Sequence, residues 1–337
     1  MNHTSDTTSQ RATAVGRAGR RSAAFVVLLC AGYAGALWAL DRGNGMFLRL
    51  AGIWPALVLT MPVVLLSYLV RYWRWDWLLR RHGHRLSAAD GLTAYLAGLA
   101  LTATPGKAGE LLRIRYFARM GVRPERSFAT FVFERASDLL VILLLSLLAA
   151  PVFPTLGVLA AVVLAFVAAL FALAAWPSGL RWTERAAQRI AWQWLQQMVR
   201  FATGAAHELR HCLDGASLKR SMLAGFAAWG ATSVAFLWIC SQLGLTLPPV
   251  VGLGIYPLAM LIGALSFVPG GVGTTELAIV LMLERLGVPP ADGWIAAIAI
   301  RLVTLWFAIA VGSLSVLRME LRGPVQAPDR APHEGGA

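Results

Sequence analysis

The chain has 337 residues, of which 58% are hydrophobic and only 14% carry a charge. Runs of about 20 apolar residues recur, each long enough to cross the roughly 30 Å hydrocarbon layer of a bilayer. This composition excludes a single soluble domain and predicts an all-α polytopic membrane protein. In a membrane protein, an excess of positive charge such as the +13 of this chain indicates which loops lie in the cytoplasm. It is therefore not a sign of nucleic-acid binding, and we expect no nucleic-acid partner.

The N-terminal residues 1–22 are polar and basic, and we predict that they are disordered. The apolar run 23–40 follows them. A secretory signal has a shorter apolar region, typically about 7–15 residues, and a small-residue cleavage site. Because this run is longer and lacks a convincing cleavage site, we interpret it as a retained first span.

The membrane domain is predicted to extend over 23–318 as one domain, followed by a disordered tail, 319–337. About six full transmembrane helices are expected within it, at 23–40, 51–70, 127–150, 155–176, 221–243 and 291–317. Two further apolar stretches, 88–104 and 250–268, each end at a Pro-Gly break and are predicted to be broken or re-entrant elements.

The distribution of arginine predicts the orientation, because cytoplasmic loops retain Lys and Arg. The N-terminus is basic, and segment 71–85 carries five arginines, so both are expected on the cytoplasmic side of a bacterial inner membrane. Segment 105–126 carries six basic residues, and a full crossing by 88–104 would leave these outside. We therefore predict that 88–104 dips in and returns.

The second half of the chain continues this count. Linker 177–220 is basic and expected in the cytoplasm, and its part 181–201 has the Arg and Trp spacing of an interfacial amphipathic helix. Segment 250–287 has Arg285 as its single basic residue and is expected outside. Span 291–317 then returns to the cytoplasm, so that both termini are expected there. Two arrangements of this segment fit the distribution of basic residues equally well. In one, 250–268 is re-entrant; in the other, it crosses the membrane fully and a short helix returns.

A pattern occurs twice, in repeat one at about 88–150 and in repeat two at about 250–317. Each copy has a Gly/Pro break, then a carboxylate, then an arginine inside the next apolar run. The matched positions are Pro105 with Pro269, Gly106 with Gly270, Gly109 with Gly273, Glu110 with Glu276, and Arg135 with Arg301. Opposite orientation of the copies predicts an inverted repeat, and paired interruptions of this kind point to a substrate pathway.

The two arginines are the leading site candidates, since a charge at the centre of a membrane helix costs about 2.5–3.5 kcal/mol even on a permissive scale. Either they hold an anionic headgroup in a cavity, or each closes an internal ion pair that fixes helix packing. Glu110 and Glu276 either cap the next helix or neutralise these arginines when no lipid is bound. Glu134 and Asp138 share one face of the helix that carries Arg135, and this cluster is completed by Arg113 and Lys107.

The breaks themselves are predicted to act as hinges or gates, or to cradle an anion with backbone N–H groups. The residues concerned are Pro105, Gly106, Gly109, Pro269, Gly270, Gly271 and Gly273. Neither nucleotide-binding glycine fingerprint is present.

One motif is typical of an enzyme and not of a lipid-binding membrane protein. Residues 207–211 read HELRH, so that His207 and His211 with Glu208 match the pattern of a zinc peptidase. The motif lies in the predicted cytoplasmic linker, with no evident third ligand. We expect a solvated linker, no metal and no cofactor, and we keep a zinc metallopeptidase as the alternative.

The motifs PGKAGE with Arg113, ERxxD at 134–138, and PGGVGTTE followed by Arg301 resemble the lysylphosphatidylglycerol synthase transmembrane family. The likeness covers roughly 23–318. It implies a flippase-like protein similar to the membrane half of the multiple peptide resistance factor, whose best-known cargo is aminoacylated phosphatidylglycerol. No aminoacyl-transferase domain follows residue 318, so we expect no lipid synthesis.

The resemblance implies a membrane phospholipid or a polyprenyl-linked lipid as the ligand. It also allows a lipid-modifying synthase as a partner, or a non-transporting accessory role beside such a synthase.

Overall fold

A computed structural model describes residues 31–32, 35, 45–104, 109–153, 156–188 and 192–321. These residues form helices and turns without a β-strand, which confirms the all-α prediction. The predicted span 23–40, apart from a few helical positions, and the predicted disordered termini, apart from 319–321, lie outside the described residues.

The chain divides into two units, residues 1–54 and 55–337. In the first unit, helix α1 (Met46–Gly52) begins after Gly45, whose φ of 59° lies in the left-handed region that glycine tolerates. Both copies of the repeat belong to the second unit.

From Trp54 onward the chain is a succession of helices. In chain order they are α2 (Trp54–Arg81), α3 (Ala88–Ala97, continued as a 3₁₀ turn to Leu101), α4 (Leu112–Arg119), α5 (Pro124–Ser146), α6 (Leu156–Ala174), α7 (Pro177–Gln188), α8 (Gln193–Cys212), α9 (Gly215–Gln242), α10 (Pro249–Leu265), α11 (Thr274–Glu284), α12 (Pro290–Arg301) and α13 (Phe307–Leu321). A π-helical stretch, Leu302–Trp306, joins α12 to α13.

Four helical segments of the described chain are long and apolar enough to cross a membrane: α2, α6, α9 and the continuous stretch Pro290–Leu321. They coincide with four predicted spans. The helix at the predicted span 127–150 is α5, which has a similar length but carries buried charged residues. The prediction of a multi-pass membrane protein is confirmed.

The two predicted broken elements are short. Helix α3 with its 3₁₀ turn covers about 21 Å and α10 about 26 Å, at about 1.5 Å per residue. Neither reaches the roughly 30 Å of the hydrocarbon layer by itself. Each ends four residues before a Pro-Gly break, at Leu101 and at Leu265.

The loop predicted at 71–85 is wrong for most of its length, because α2 continues as a helix to Arg81. Arg74 and Trp75 are only 1% exposed, so this part of the basic segment lies in the interior of the protein and not in solvent. The charge count treated every arginine as solvated, whereas carboxylates on another helix provide buried partners here.

The single amphipathic helix predicted over 181–201 is also wrong, because two helices, α7 and α8, occupy this region. Residues 189–191 between them lie outside the described chain. Helix α8 packs against both α7 and α5.

Helices α5 and α10, one from each copy, pack directly against each other. Glycine permits this close approach: a Cβ on Gly254 of α10 would lie 2.7 Å from the backbone nitrogen of Ala149. Helix α9 packs against both, and α13 packs against α3. The charged side chains of the two copies are thereby brought to one region.

Candidate functional site

Helix α5 carries three charged residues near its middle, two of which are almost fully buried. Glu134 is 1% exposed and Asp138 is 2% exposed, whereas the Arg135 side chain keeps 21% exposure. Charges inside a membrane domain persist only when they are paired or face a polar cavity. Both conditions are met in this protein.

Pairing is provided by a network that we call the first-copy cluster. It contains four arginines and three carboxylates from α2, α4, α5 and the turn before α4. Its members are Arg71, Arg74, Arg113, Arg135, Glu110, Glu134 and Asp138.

Arg74 is the most firmly held arginine of the cluster. Its Nη2 lies 2.9 Å from Glu134 Oε1 and its Nη1 lies 2.9 Å from Asp138 Oδ1. The same Nη1 donates to the Ser221 carbonyl of α9 at 3.3 Å. Arg71, one turn earlier, reaches the other Asp138 oxygen at 2.6 Å. These bonds tie α2 and α9 to α5.

Arg113, a predicted headgroup residue, is 2% exposed and serves the packing of the cluster. Its Nη2 lies 3.0 Å from Glu134 Oε2, and its guanidinium stacks over Trp75 at 4.3 Å. Tyr95 donates its hydroxyl hydrogen to Glu134 Oε1 at 2.7 Å. Arg113 is therefore enclosed by aromatic rings rather than presented to a ligand.

Arg135 is held more loosely. Its terminal nitrogens lie 3.7 Å from Glu110, 3.4 Å from Glu134 and 3.2 Å from Asp138. Within the part of the chain that the structure describes, Arg135 donates no hydrogen bond of normal geometry to any of them. Ion pairs of this length lack the hydrogen-bond geometry that strengthens a charged contact, so Arg135 is held less firmly than Arg74.

The second copy has a simpler arrangement. Arg301, 1% exposed, donates from Nε to Glu276 Oε1 at 2.9 Å, and its Nη2 donates to the Gly270 carbonyl. The other oxygen of Glu276 accepts the Gly273 backbone N–H at 2.7 Å, at the start of α11. Glu276 thus both caps a helix and pairs with the arginine.

The matched residues of the two copies make the same contact in the structure. Glu110 pairs with Arg135, and Glu276 pairs with Arg301, with the same separation of 25 residues in each copy. Glu110, 3% exposed, also accepts from Thr102 at 3.0 Å. It lies in a 3₁₀ turn directly before α4 and, unlike Glu276, is not the capping residue of that helix.

Arginines of both copies face one cavity of about 100 Å³, which we call the central cavity. Its charged lining residues are Arg71, Arg135, Arg301 and Glu110, and its polar lining includes Tyr68, Tyr95, Tyr256, Thr102 and Thr304. The cavity lining thus has three guanidiniums and one carboxylate, and guanidinium is the side chain that best matches the geometry of phosphate and carboxylate anions.

The π-helical stretch after Arg301 shapes one wall of this cavity. Tyr68 donates to the Thr304 carbonyl at 2.9 Å, and Tyr256 donates to the Thr304 hydroxyl at 3.0 Å. Wide helical turns of this kind occur frequently at functional sites. Thr304 occupies the position that corresponds to Asp138 in the first copy, so the two walls differ in charge.

The second break lies against Ala103, which precedes the first break in the chain. Gly270 has a φ of +62°, and a Cβ there would lie 3.1 Å from Ala103 Cα, directly before the first break. Gly271 and Gly273 also have left-handed φ values. In the first break, Pro105, Gly106 and Lys107 lie outside the described residues. Gly109 is described, and its N–H donates to the Thr104 hydroxyl at 2.6 Å.

Sequence reasoning missed the arginines of α2, which it assigned to a loop. A signal was present, since the apolar run 127–150 contains two carboxylates, Glu134 and Asp138, but only one cation, Arg135. Such an excess of buried carboxylates requires further cations. No sequence signal identified Trp229, whose ring lies under Arg71 at 4.7 Å and lines the central cavity.

The HELRH motif has a different role in the fold. Glu208 lies 2.9 Å from Arg126 and 3.2 Å from Arg123, whereas His207 and His211 face each other, 3.4 Å apart at Nε2. Burial acts to raise the pKa of the Glu208 carboxyl, but the hydrogen bond and charge of Arg126 outweigh it and lower the pKa. No group of three metal-ligating side chains occurs among the described residues. Glu208 therefore joins α8 to α5.

The family model described as "Lysylphosphatidylglycerol synthase TM region" matches residues 22–312. No curated protein matches the chain at a significant level.

Proposed function

Because this chain belongs to the lysylphosphatidylglycerol synthase transmembrane family, we propose that it carries an anionic, phosphate-bearing lipid between the leaflets of a bacterial inner membrane. Membership makes it a membrane protein of lipid-related function. The proposal adds translocation as the activity and requires neither a catalytic residue nor a cofactor.

The observation that carries the proposal is the convergence of Arg71, Arg135 and Arg301 on the central cavity. A phosphate crossing hydrocarbon needs such partners, because the desolvation of an unpaired ion is too costly. Arg135 supports an exchange mechanism. When a phosphate arrives, the long pairs to Glu110, Glu134 and Asp138 lengthen or break, and they re-form when it leaves.

The contact of Gly270 with Ala103, directly before the first break, supports a gating role for the breaks. In the proposed orientation, both termini are cytoplasmic, the first break faces the cytoplasm and the second faces the outside, as an inverted repeat. Gly270 against Ala103 then separates the two access routes. The Arg301 bond to the Gly270 carbonyl links occupancy of the cavity to the position of the second break.

The test is a vesicle assay in which purified protein is reconstituted and the transbilayer movement of labelled phosphatidylglycerol, or of a labelled polyprenyl phosphate, is followed. We expect Arg135→Ala and Arg301→Ala to reduce movement at least tenfold, since each removes a charge-assisted partner worth roughly 1.5–3 kcal/mol. Arg285→Ala is the matched control, because Arg285 is exposed and does not line the cavity.

Movement that is unchanged in both cavity variants, with protein that remains folded, would contradict the assignment of the site. Lipid binding without movement in the native protein would favour a non-transporting accessory of a lipid-modifying synthase.

A further inference from the structure

A second cavity adjoins the central one. It has a volume of about 370 Å³, and we call it the apolar groove. Four residues line both cavities: Arg135, Trp229, Met260 and Gly270. The space therefore continues from the guanidiniums into the groove.

The groove lies between α5, α6, α10 and the second break. Its other lining is mainly apolar, and the polar exceptions are Thr104, Asp138 and Thr275. Ile142 and Val163 are buried in its floor, whereas Val162, Phe166 and Phe267 are more than half exposed. Helix α6 has a mean hydropathy of 2.9 and only 17% of its apolar window is buried inside the protein. The groove thus opens towards the face of α6 that contacts lipid chains.

The volumes suit the two parts of one amphipathic molecule. Pockets for drug-sized ligands measure roughly 300–1,000 Å³. The central cavity is smaller than this range and fits a phosphate with little more, whereas the groove falls within it. A hydrocarbon chain in the groove stays out of water, where each exposed CH₂ would cost about 0.8 kcal/mol, and it loses nothing relative to the bilayer.

The charges of the site select among headgroups. The first-copy cluster together with Arg301 and Glu276 contains five guanidiniums and four carboxylates among the described residues, which leaves one positive charge. The first break also carries Lys107, which lies outside the described residues and, as a cation, can only raise this excess. The site therefore attracts a phosphodiester anion and repels a headgroup with a net positive charge.

We infer that the central cavity and the apolar groove form one binding site for a phospholipid with a single negative charge, with its phosphodiester at Arg71, Arg135 and Arg301 and one acyl chain in the groove. This inference rests on the proposed function for its choice of a lipid as the ligand. It adds that the site selects lipids by the charge of the headgroup. The site disfavours a lysylated phosphatidylglycerol, whose two ammonium groups give it one net positive charge beside the same arginines.

Binding is measured by native mass spectrometry of the purified full-length protein, with lipids of matched chains. Phosphatidylglycerol is expected to bind at least about tenfold more tightly than lysyl-phosphatidylglycerol or zwitterionic phosphatidylethanolamine, because like charges at close range cost more than 1.4 kcal/mol. Water-soluble glycerophosphoglycerol, the same headgroup without chains, is expected not to compete at tenfold excess.

The groove is tested with Val162→Trp, which fills it from an exposed position and so spares the packing of the core. Val158→Trp is the matched control, since Val158 is exposed on the same helix but does not line the groove. We expect the first variant to weaken phosphatidylglycerol binding at least about tenfold and the second to leave it within twofold.

Three results would each overturn the inference: equal affinity for phosphatidylglycerol and its lysyl ester, competition by the chain-free headgroup, or equal behaviour of the two tryptophan variants. Selective binding without transbilayer movement would instead count against the proposed function and leave this inference standing.

Discussion

At the scale of single residues, the arginines fall into two kinds. Arg74 and Arg113 are enclosed and bound at 2.9–3.0 Å, so they hold α2 and α4 to α5. Arg135 makes only longer pairs and keeps part of its surface open to the cavity. We therefore expect Arg135 to have a role in ligand binding, and Arg74 and Arg113 to stabilise the packing of the helices.

The pair of Glu276 and Arg301 combines both roles, and its structural part is testable. In Glu276→Gln the guanidinium loses its buried counterion, and we expect a loss of about 3–5 kcal/mol in stability, seen as a lower unfolding midpoint of the detergent-solubilised protein. The double variant Glu276→Gln with Arg301→Met should recover at least half of this loss, because no buried charge is left unpaired.

The control for this pair is Glu284→Gln, at the exposed end of the same helix, which we expect to leave the midpoint unchanged. A double variant as unstable as the single one would show that the ion pair is not the source of the loss.

At the scale of elements, the breaks depend on glycine. Gly270 has a left-handed backbone and also lies close to Ala103. Any side chain at such a φ costs roughly 1–2 kcal/mol, and at Gly270 a methyl group must in addition displace Ala103.

We predict that Gly270→Ala lowers both the unfolding midpoint and lipid movement more than Gly287→Ala does. Gly287 has a φ of +82° but open space around its Cβ position, so its variant reports the backbone strain alone. Gly230→Ala on α9, with no atom within 4 Å and an ordinary helical backbone, should be neutral. Equal effects of the Gly270 and Gly287 variants would show that the contact with Ala103 has no role.

At the scale of the whole molecule, orientation is the property that charge counting predicts and chemical labelling can test. Ser87 before α3 and Thr246 after α9 are both exposed. In a variant without the native cysteines, Thr246→Cys should react with a membrane-impermeant maleimide in intact cells. Ser87→Cys should react only after the inner membrane is opened, because its segment is expected to be cytoplasmic.

Labelling of both positions from outside, or labelling of Ser87→Cys alone, would contradict the proposed orientation. Native Cys212 and Cys240 are buried, so their removal by substitution with alanine is not expected to expose new polar surface.

The sequence by itself determined the helical membrane class, the positions of four spans and the two Glu–Arg pairs, because hydropathy and a repeated motif are properties of neighbouring residues. Only the tertiary structure decided that Arg71 and Arg74 belong to the interior and that Arg135 and Arg301 share a cavity. The physical reason is that a buried charge takes its partners from distant helices. A count of charges along the chain therefore assigns such an arginine to a loop, until packing brings its carboxylates beside it.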